Sequence, residues 1–245
     1  MSARVNGTAV VLGAGPGLGM SMAHRFGRAG HAVALVSRNP DRHARYLAQL
    51  ADAGIEAASF TADVRHADRL PQTLDAISAR QGPVDVLYYG PASIDAPKSL
   101  PKPITETSGR DVGEAMKFVY PAVEAVQAVL PGMRARRSGA LLFAGGLSSV
   151  VPLPALGALA LSSAALRNYA ITLNAALAAD GIYAGTLTIG GIVRHGDIHR
   201  HVAAHPERYG DLAAKTLNPD DIADEAWSMV TRRDRAEAVF NVLTA

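Results

Sequence analysis

Short apolar runs alternate with amphipathic ones along most of the chain. TAVVLG (8–13), HAVALVSR (31–38), IEAASFTADV (55–64), VDVLYYG (84–90), GALLFAGG (139–146) and YAGTLTIGG (183–191) are short, largely apolar and mostly bounded by Gly or Pro, and they predict buried strands. EAVFNVL (237–243) predicts a terminal strand. Helical patterns fill the gaps. One runs from a Gly-rich turn to about Gly30, one spans 40–53 and is closed by Gly54, and one reaches Gln81 before Gly82-Pro83. A long pattern covers roughly 109–136, interrupted at Pro121 and Pro131. Another ends at about Asp180, before Gly181, and Asn218-Pro219-Asp220 caps the last. Strands separated by helices imply parallel βαβ units with right-handed crossovers. Near-continuous apolar strands imply a sheet covered on both faces. The expected architecture is α/β: a doubly wound parallel sheet of about seven strands flanked by helices, one domain over 1–245, with a polar, His-rich insertion at about 192–217.

Composition narrows the class. The 245 residues are 49% hydrophobic, enough for one sizeable domain with a full core. A formal net charge of +2 implies no strong field for nucleic acid or membrane. The absence of cysteine excludes disulfides, thiolate metal sites and cysteine nucleophiles. The start, MSARVNGTAVVLGAG, runs straight into a strand pattern rather than a secretion signal, and no apolar stretch of membrane-spanning length is free of Gly, Pro or charge. A cytoplasmic protein is the expectation.

The stretch Val10-Val11-Leu12-Gly13-Ala14-Gly15-Pro16-Gly17-Leu18-Gly19 joins the first strand to the first helix. Glycines there allow a tight turn, close backbone approach to a pyrophosphate and close helix–strand packing, while the helix N-terminus offers free N–H groups to the anion. This strand–turn–helix context makes 13–19 a nucleotide-binding turn of Rossmann type. The second strand ends in Val36-Ser37-Arg38-Asn39, with no acid for a ribose 2′-hydroxyl. An arginine and a hydroxyl suit a 2′-phosphate, so NADP(H) is expected over NAD(H). Asp63, followed by Val64, ends the third strand; its carboxylate is placed to accept from an adenine amino group or to cap the next helix.

Together these residues resemble the short-chain dehydrogenase/reductase family over essentially the whole chain. Gly13, Gly17 and Gly19 match the family's Gly-x-x-x-Gly-x-Gly spacing, with Leu12 where a Thr is usual and Gly15 added. Asp63-Val64 is similar to the family's adenine-contacting pair, and Leu130-Pro131-Gly132-Met133 to the end of its helix before strand 5. Gly190 is similar to the Gly of a Pro-Gly pair whose Pro is Ile189 here. The resemblance implies an NADP(H)-dependent oxidoreductase, with Gly90 and Gly190 among the cofactor contacts. It also implies losses. The family's Asn-Asn-Ala-Gly reads Tyr89-Gly90-Pro91-Ala92, its helix Asn falls on Phe118, its catalytic Ser on Gly146, and its Tyr and Lys on Leu159 and Ser163. No Tyr or Lys occurs between Val150 and Arg167, so a small register shift does not restore them. In the family the Tyr gives a proton to the carbonyl oxygen as hydride arrives, while the Lys lowers the Tyr pKa and holds the nicotinamide ribose. Losing a positioned general acid costs about 10²–10⁴-fold.

Replacement chemistry is sparse. Tyr88 and Tyr89 end strand 4 at the sheet's carboxyl edge, and alternation sends one of them to the cleft. Tyr89 is a candidate proton donor; equally it stacks beside the cofactor or packs under a helix. Ser148 and Ser149 suit a substrate oxygen better than nucleophilic attack, having no base nearby in sequence, and Ser162 and Ser163 fit bonds back to the preceding helical turn. Asp95 and Lys98 in the Pro-rich loop read as solvated surface. His195/His199 and His201/His205 have i,i+4 spacing, which puts each pair on one helix face. Arg194 and Arg200 oppose a cation there, and no metal is expected. The resemblance makes this segment a lid over the substrate, with His195 a candidate acid/base. A cleft with Phe118, Leu159, Tyr88 and Leu147 suits a small apolar substrate. Three functions stay open: hydride transfer with non-standard catalytic residues, a cofactor-binding sensor or partner-binding module without redox turnover, and a non-redox isomerase or cyclase. Helices over about 109–136 and 156–180 are the expected faces of a homodimer or homotetramer. Neither nucleic acid nor membrane is an expected partner.

Overall fold

All seven apolar runs form strands in the computed structural model, which describes residues 6–91 and 101–243. Asp95 and Lys98 lie outside the described residues. The strands are β1 (Asn6–Leu12), β2 (His31–Ser37), β3 (Ala57–Thr61), β4 (Val84–Tyr89), β5 (Gly139–Gly146), β6 (Ile182–Gly190), β7 (Ile192–Val193), β8 (Thr216–Leu217) and β9 (Glu237–Asn241). The helices that follow them are α1 (Leu18–Arg28), α2 (His43–Asp52), α3 (Leu70–Gln81), α4 (Gly109–Met116), α5 (Tyr120–Arg136), α6 (Ala158–Leu177), α7 (Asp197–Ala203), α8 (Pro206–Tyr209) and α9 (Pro219–Arg232).

Seven strands make one parallel sheet in the order β3-β2-β1-β4-β5-β6-β9. The build-up reverses at β1, with β2 and β3 on one side and the later strands on the other. That reversal opens a crevice beyond the carboxyl ends of β1 and β4. The short pair β7–β8 is a separate parallel ribbon that the hydrophobic pattern does not predict.

Successive strand residues face opposite sides, so each central strand feeds two cores. Val10, Leu12, Leu87, Tyr89, Leu141 and Phe143 pack with α3, α5 and α6. Their neighbours Val11, Val86, Tyr88 and Leu142 pack with α1, α2 and α9. Local chemistry sets the helix starts. Asn218 accepts from the Asp220 N–H at the head of α9, and Ser108 with Asp111 forms a reciprocal cap on α4. The pattern over 109–136 is two helices rather than one. The break falls at 117–119, because Pro121 occupies the first turn of α5, where its missing N–H costs nothing. Pro131 is carried inside α5 without ending it. Tyr120 on α5 and Leu161 on α6 leave apolar surface exposed. No helix among the described residues is long and apolar enough to cross a membrane.

The far edge of the sheet is tied electrostatically. Arg167 of α6 donates through Nε and Nη2 to the two carboxylate oxygens of Glu237 on β9, at 2.7 and 2.6 Å, and Thr188 of β6 adds a third bond at 2.7 Å. The Arg167 guanidinium holds the Glu237 carboxyl below the ordinary glutamate value, against the opposing effect of burial. The stabilisation is therefore complete above the unfolded-state pKa and is lost as pH falls through the depressed folded value. Glu237→Ala is expected to lower the unfolding free energy at neutral pH by about 1–3 kcal/mol. Urea titrations should find that deficit shrinking as the wild-type carboxyl protonates in acid.

Candidate functional site

The crevice at the reversal point deepens into a cavity of about 680 Å³. At its floor β1 turns into α1. Gly13 has φ +98°, and a Cβ there would stand 2.7 Å from the Gly90 carbonyl oxygen; a Cβ on Gly19 would stand 2.7 Å from the Gly13 carbonyl oxygen. Only glycine fits at either place. Gly15, in contrast, has no neighbour closer than 4.0 Å to the space its Cβ would fill. The result is a bare backbone cradle at the N-terminus of α1, where Gly17 brings no capping side chain. Gly13, Gly15, Pro16, Gly17, Leu18 and Gly19 all line the cavity.

Ser37, Arg38 and Asn39 line it at the end of β2, joined by Arg42 and Tyr46. Ser37 Oγ stands 2.7 Å from His43 Nε2 and 3.1 Å from the Asn39 carbonyl oxygen. Burial lowers the His43 imidazole below its ordinary value. Asp63, Val64 and Gly90 line the same cavity. Arg65 grips the Asp63 carboxylate through Nε at 3.1 Å and Nη2 at 2.6 Å, and this contact holds the carboxyl below the ordinary aspartate value. Asp63 does not cap α3: it accepts the Arg65 N–H at 3.0 Å, and a helical turn at Ala67–Arg69 intervenes before Leu70.

The opposite end is apolar. Phe118, Gly146, Leu159 and Ser163, the positions onto which the resemblance carries the Asn, Ser, Tyr and Lys, all line the cavity. Ser163 Oγ lies 3.2 Å from the space a Gly146 Cβ would fill and makes no hydrogen bond among the described residues. Ser162 donates back to the Leu159 carbonyl at 3.2 Å, the local bond its helical position suggests.

The catalytic candidates do not assemble there. Tyr88 and Tyr89 both reach the cavity wall while their rings fill opposite cores. The Tyr89 hydroxyl donates to the Phe118 carbonyl at 2.7 Å, and burial pushes both phenols well above their ordinary value. Tyr89 is thus a buried strut whose hydroxyl proton is engaged by a backbone carbonyl. The Tyr88 phenol folds over Gly90 and takes the space of a Cβ, which is why glycine stands at 90. Ser148 and His195 lie outside the cavity lining. Ser148 belongs to a short helical turn at Leu147–Ser149, and Ser149 donates to the Gly146 carbonyl at 2.8 Å. His195, at φ +66°, precedes α7 and so shares no helix face with His199. α7 also ends before His205, yet the His201 and His205 rings approach to 4.5 Å, with His201 Nε2 3.2 Å from the Tyr209 hydroxyl. Among the described residues no three potential metal ligands converge. Gly190 also stands outside the lining: its missing Cβ makes room for the Leu147 side chain, and Ile189 and Gly191 face the cavity instead. Leu147 is buried rather than cavity-facing.

Sequence reasoning missed Arg42 and Asp197, which meet across the cavity at 2.9 Å. They are 155 positions apart, and no local pattern signals the pairing.

A family model described as short chain dehydrogenase matches residues 7–201. A short chain dehydrogenase of Pseudocercospora fijiensis is 27% identical over 187 residues, 76% of this chain and 59% of that one, so the chain spans about three-fifths of its length. The structure of L-sorbose reductase from Gluconobacter frateurii, complexed with NADPH and L-sorbose, is similar with a TM-score of 0.83 at 20% identity, covering 98% of this chain and 97% of that one. The NADPH-bound structure of a short chain oxidoreductase from Pseudomonas aeruginosa PAO1, described as containing an atypical catalytic center, gives 0.81 at 19% identity over 98% and 96%. Both likenesses concern the fold.

Tyr89→Phe should cost about 1–2 kcal/mol of stability, because the Phe118 carbonyl loses its donor. Equilibrium unfolding of the variant checks this.

Proposed function

Because the chain belongs to the short chain dehydrogenase family, we propose that it is an NADP(H)-dependent oxidoreductase that moves hydride to or from a small, apolar, activated substrate without a proton donor from the protein. One observation carries the reading: a single cavity joins the glycine turn and the basic corner at Ser37, Arg38 and Arg42 to an apolar end lined by Phe118, Gly146, Leu159 and Ser163.

The glycine cradle fits a dinucleotide. The backbone of 13–19 would hold the pyrophosphate at the α1 N-terminus. Ser37, Arg38 and Asn39 would hold the 2′-phosphate, and Asp63 with Val64 the adenine. Gly90, whose Cβ space the Tyr88 phenol fills, would meet the dinucleotide through its backbone alone. When bound, the nicotinamide supplies or takes up the hydride. Phe118 and Leu159 exclude water and favour an apolar substrate, and the Ser163 hydroxyl orients a polar atom on it. The described residues at this end place no acid to protonate an alkoxide as it forms. Suitable acceptors therefore need no proton in that step: an iminium becomes neutral on receiving hydride, and a conjugated alkene gives an enolate that solvent protonates. Positioning supplies most of the acceleration. The same lack of a donor supports a second reading, a nucleotide-binding protein without turnover. The segment 192–217 acts as a lid, and α5 and α6 as the faces of a homodimer or homotetramer, supported by exposed Tyr120 and Leu161.

Cofactor fluorescence is expected to show NADPH binding at least about tenfold more tightly than NADH, with Arg38→Ala narrowing the difference. NADPH consumption with an activated acceptor supports the oxidoreductase, and its absence across a panel of acceptors supports the second reading. A monomer by light scattering would overturn the assembly.

A further inference from the structure

Arg42 and Asp197 stand on opposite banks of the cavity. Arg42 ends the short helical turn that follows Ser37-Arg38-Asn39, so its guanidinium belongs to the corner assigned to the 2′-phosphate. Asp197 opens α7 in the segment that packs over the glycine turn, where the Gly196 backbone would lie 3.0 Å from a Gly17 Cβ. Arg42 Nη1 donates to both Asp197 oxygens, at 3.0 and 2.9 Å, and Arg200 reaches the same carboxylate. The bridge thus ties the nucleotide end of the cleft to the segment above it.

Two features make this bridge exchangeable. Its side chains are 44% and 46% exposed, and ion pairs at such exposure contribute about 0–1 kcal/mol. A phosphate monoester also offers a guanidinium more than a carboxylate does: about −1.5 to −2 charges and three acceptor oxygens at neutral pH. A phosphate held by Ser37 and Arg38 would draw Arg42 to itself and set like charge beside Asp197.

Resting on the NADP(H) reading above, we propose that Arg42 is a second 2′-phosphate ligand and Asp197 its exchangeable counter-ion, so that NADPH, and not NADH, withdraws Arg42 from Asp197 and unties the 192–217 segment. The pair then sets cofactor preference in two ways. Arg42 adds affinity for the phosphate, and Asp197 subtracts some of it as the anion to be displaced.

Fluorescence titration of both nucleotides into wild type, Asp197→Asn, Arg42→Gln and the double variant tests this. Asp197→Asn is expected to tighten NADPH about two- to fivefold and leave NADH unchanged. Arg42→Gln should weaken NADPH about tenfold or more and leave NADH unchanged. In the double variant the gain from Asp197→Asn should vanish, because no guanidinium is left to compete for. If Asp197→Asn leaves NADPH binding unchanged, or weakens both nucleotides alike as loss of a clamp over either cofactor would, the inference is overturned while the cofactor reading stands. If wild type binds neither nucleotide, both fall together.

Discussion

Three stretches of backbone crowd together at the carboxyl end of β1, and the rest of the site depends on that crowding. Gly13 leaves β1 with a positive φ, directly against the Gly90 carbonyl at the end of β4, and Gly19 brings α1 down onto the Gly13 carbonyl. No side chain fits at either contact, so the turn stays bare and the first turn of α1 faces the crevice. The reversal of strand order at β1 places that crevice, and alternation within β1 and β4 fills both cores beneath it. A Cβ at Gly13 or Gly19 would separate elements that the whole sheet uses, which links the geometry of the cradle to the stability of the fold.

The two ends of the cavity differ in kind. The end beside the glycine turn is polar and densely tied, with Arg65 on Asp63, His43 beside Ser37, and Arg42 bridging to Asp197. The other end is apolar, and its phenols are structural: Tyr89 supports the Phe118 carbonyl and Tyr88 covers Gly90. Burial makes both phenols harder to ionise, which disfavours them as proton carriers. On the proposed account, binding and positioning are retained and proton transfer is left to the substrate or to solvent. Chemistry of that kind selects its substrates by their electronic demand, since only acceptors that need no simultaneous protonation are competent.

Much of this architecture is legible in the sequence because it is local. Apolar runs bounded by turn residues mark the strands, and the spacing of Gly13, Gly17 and Gly19 marks the turn. What escapes is what depends on distance along the chain or on competition among local signals. Pro121 reads as an interruption of one helix, whereas it starts a second, because a proline's missing N–H is harmless only in a first turn. Tyr89 reads equally as a proton donor, a ring stacked beside the cofactor or packing under a helix until the Phe118 carbonyl, 29 positions later, is brought to its hydroxyl. His195 and His199 satisfy a helical spacing, but α7 begins between them. Gly190 falls outside the cavity because Leu147 needs its space. The Arg42–Asp197 bridge is set by tertiary placement alone.

The pH dependence of kcat/KM for NADPH-driven reduction, measured with an iminium acceptor that stays cationic and with the matching ketone, tests the central claim most directly. The account predicts a profile without an inflection from a protein acid for the iminium, and ketone reduction slower by at least about a hundredfold, the minimum that loss of a positioned general acid costs. Comparable rates on the ketone, with a rate that falls as a single protein group loses its proton, would show that a proton donor exists and contradict the account.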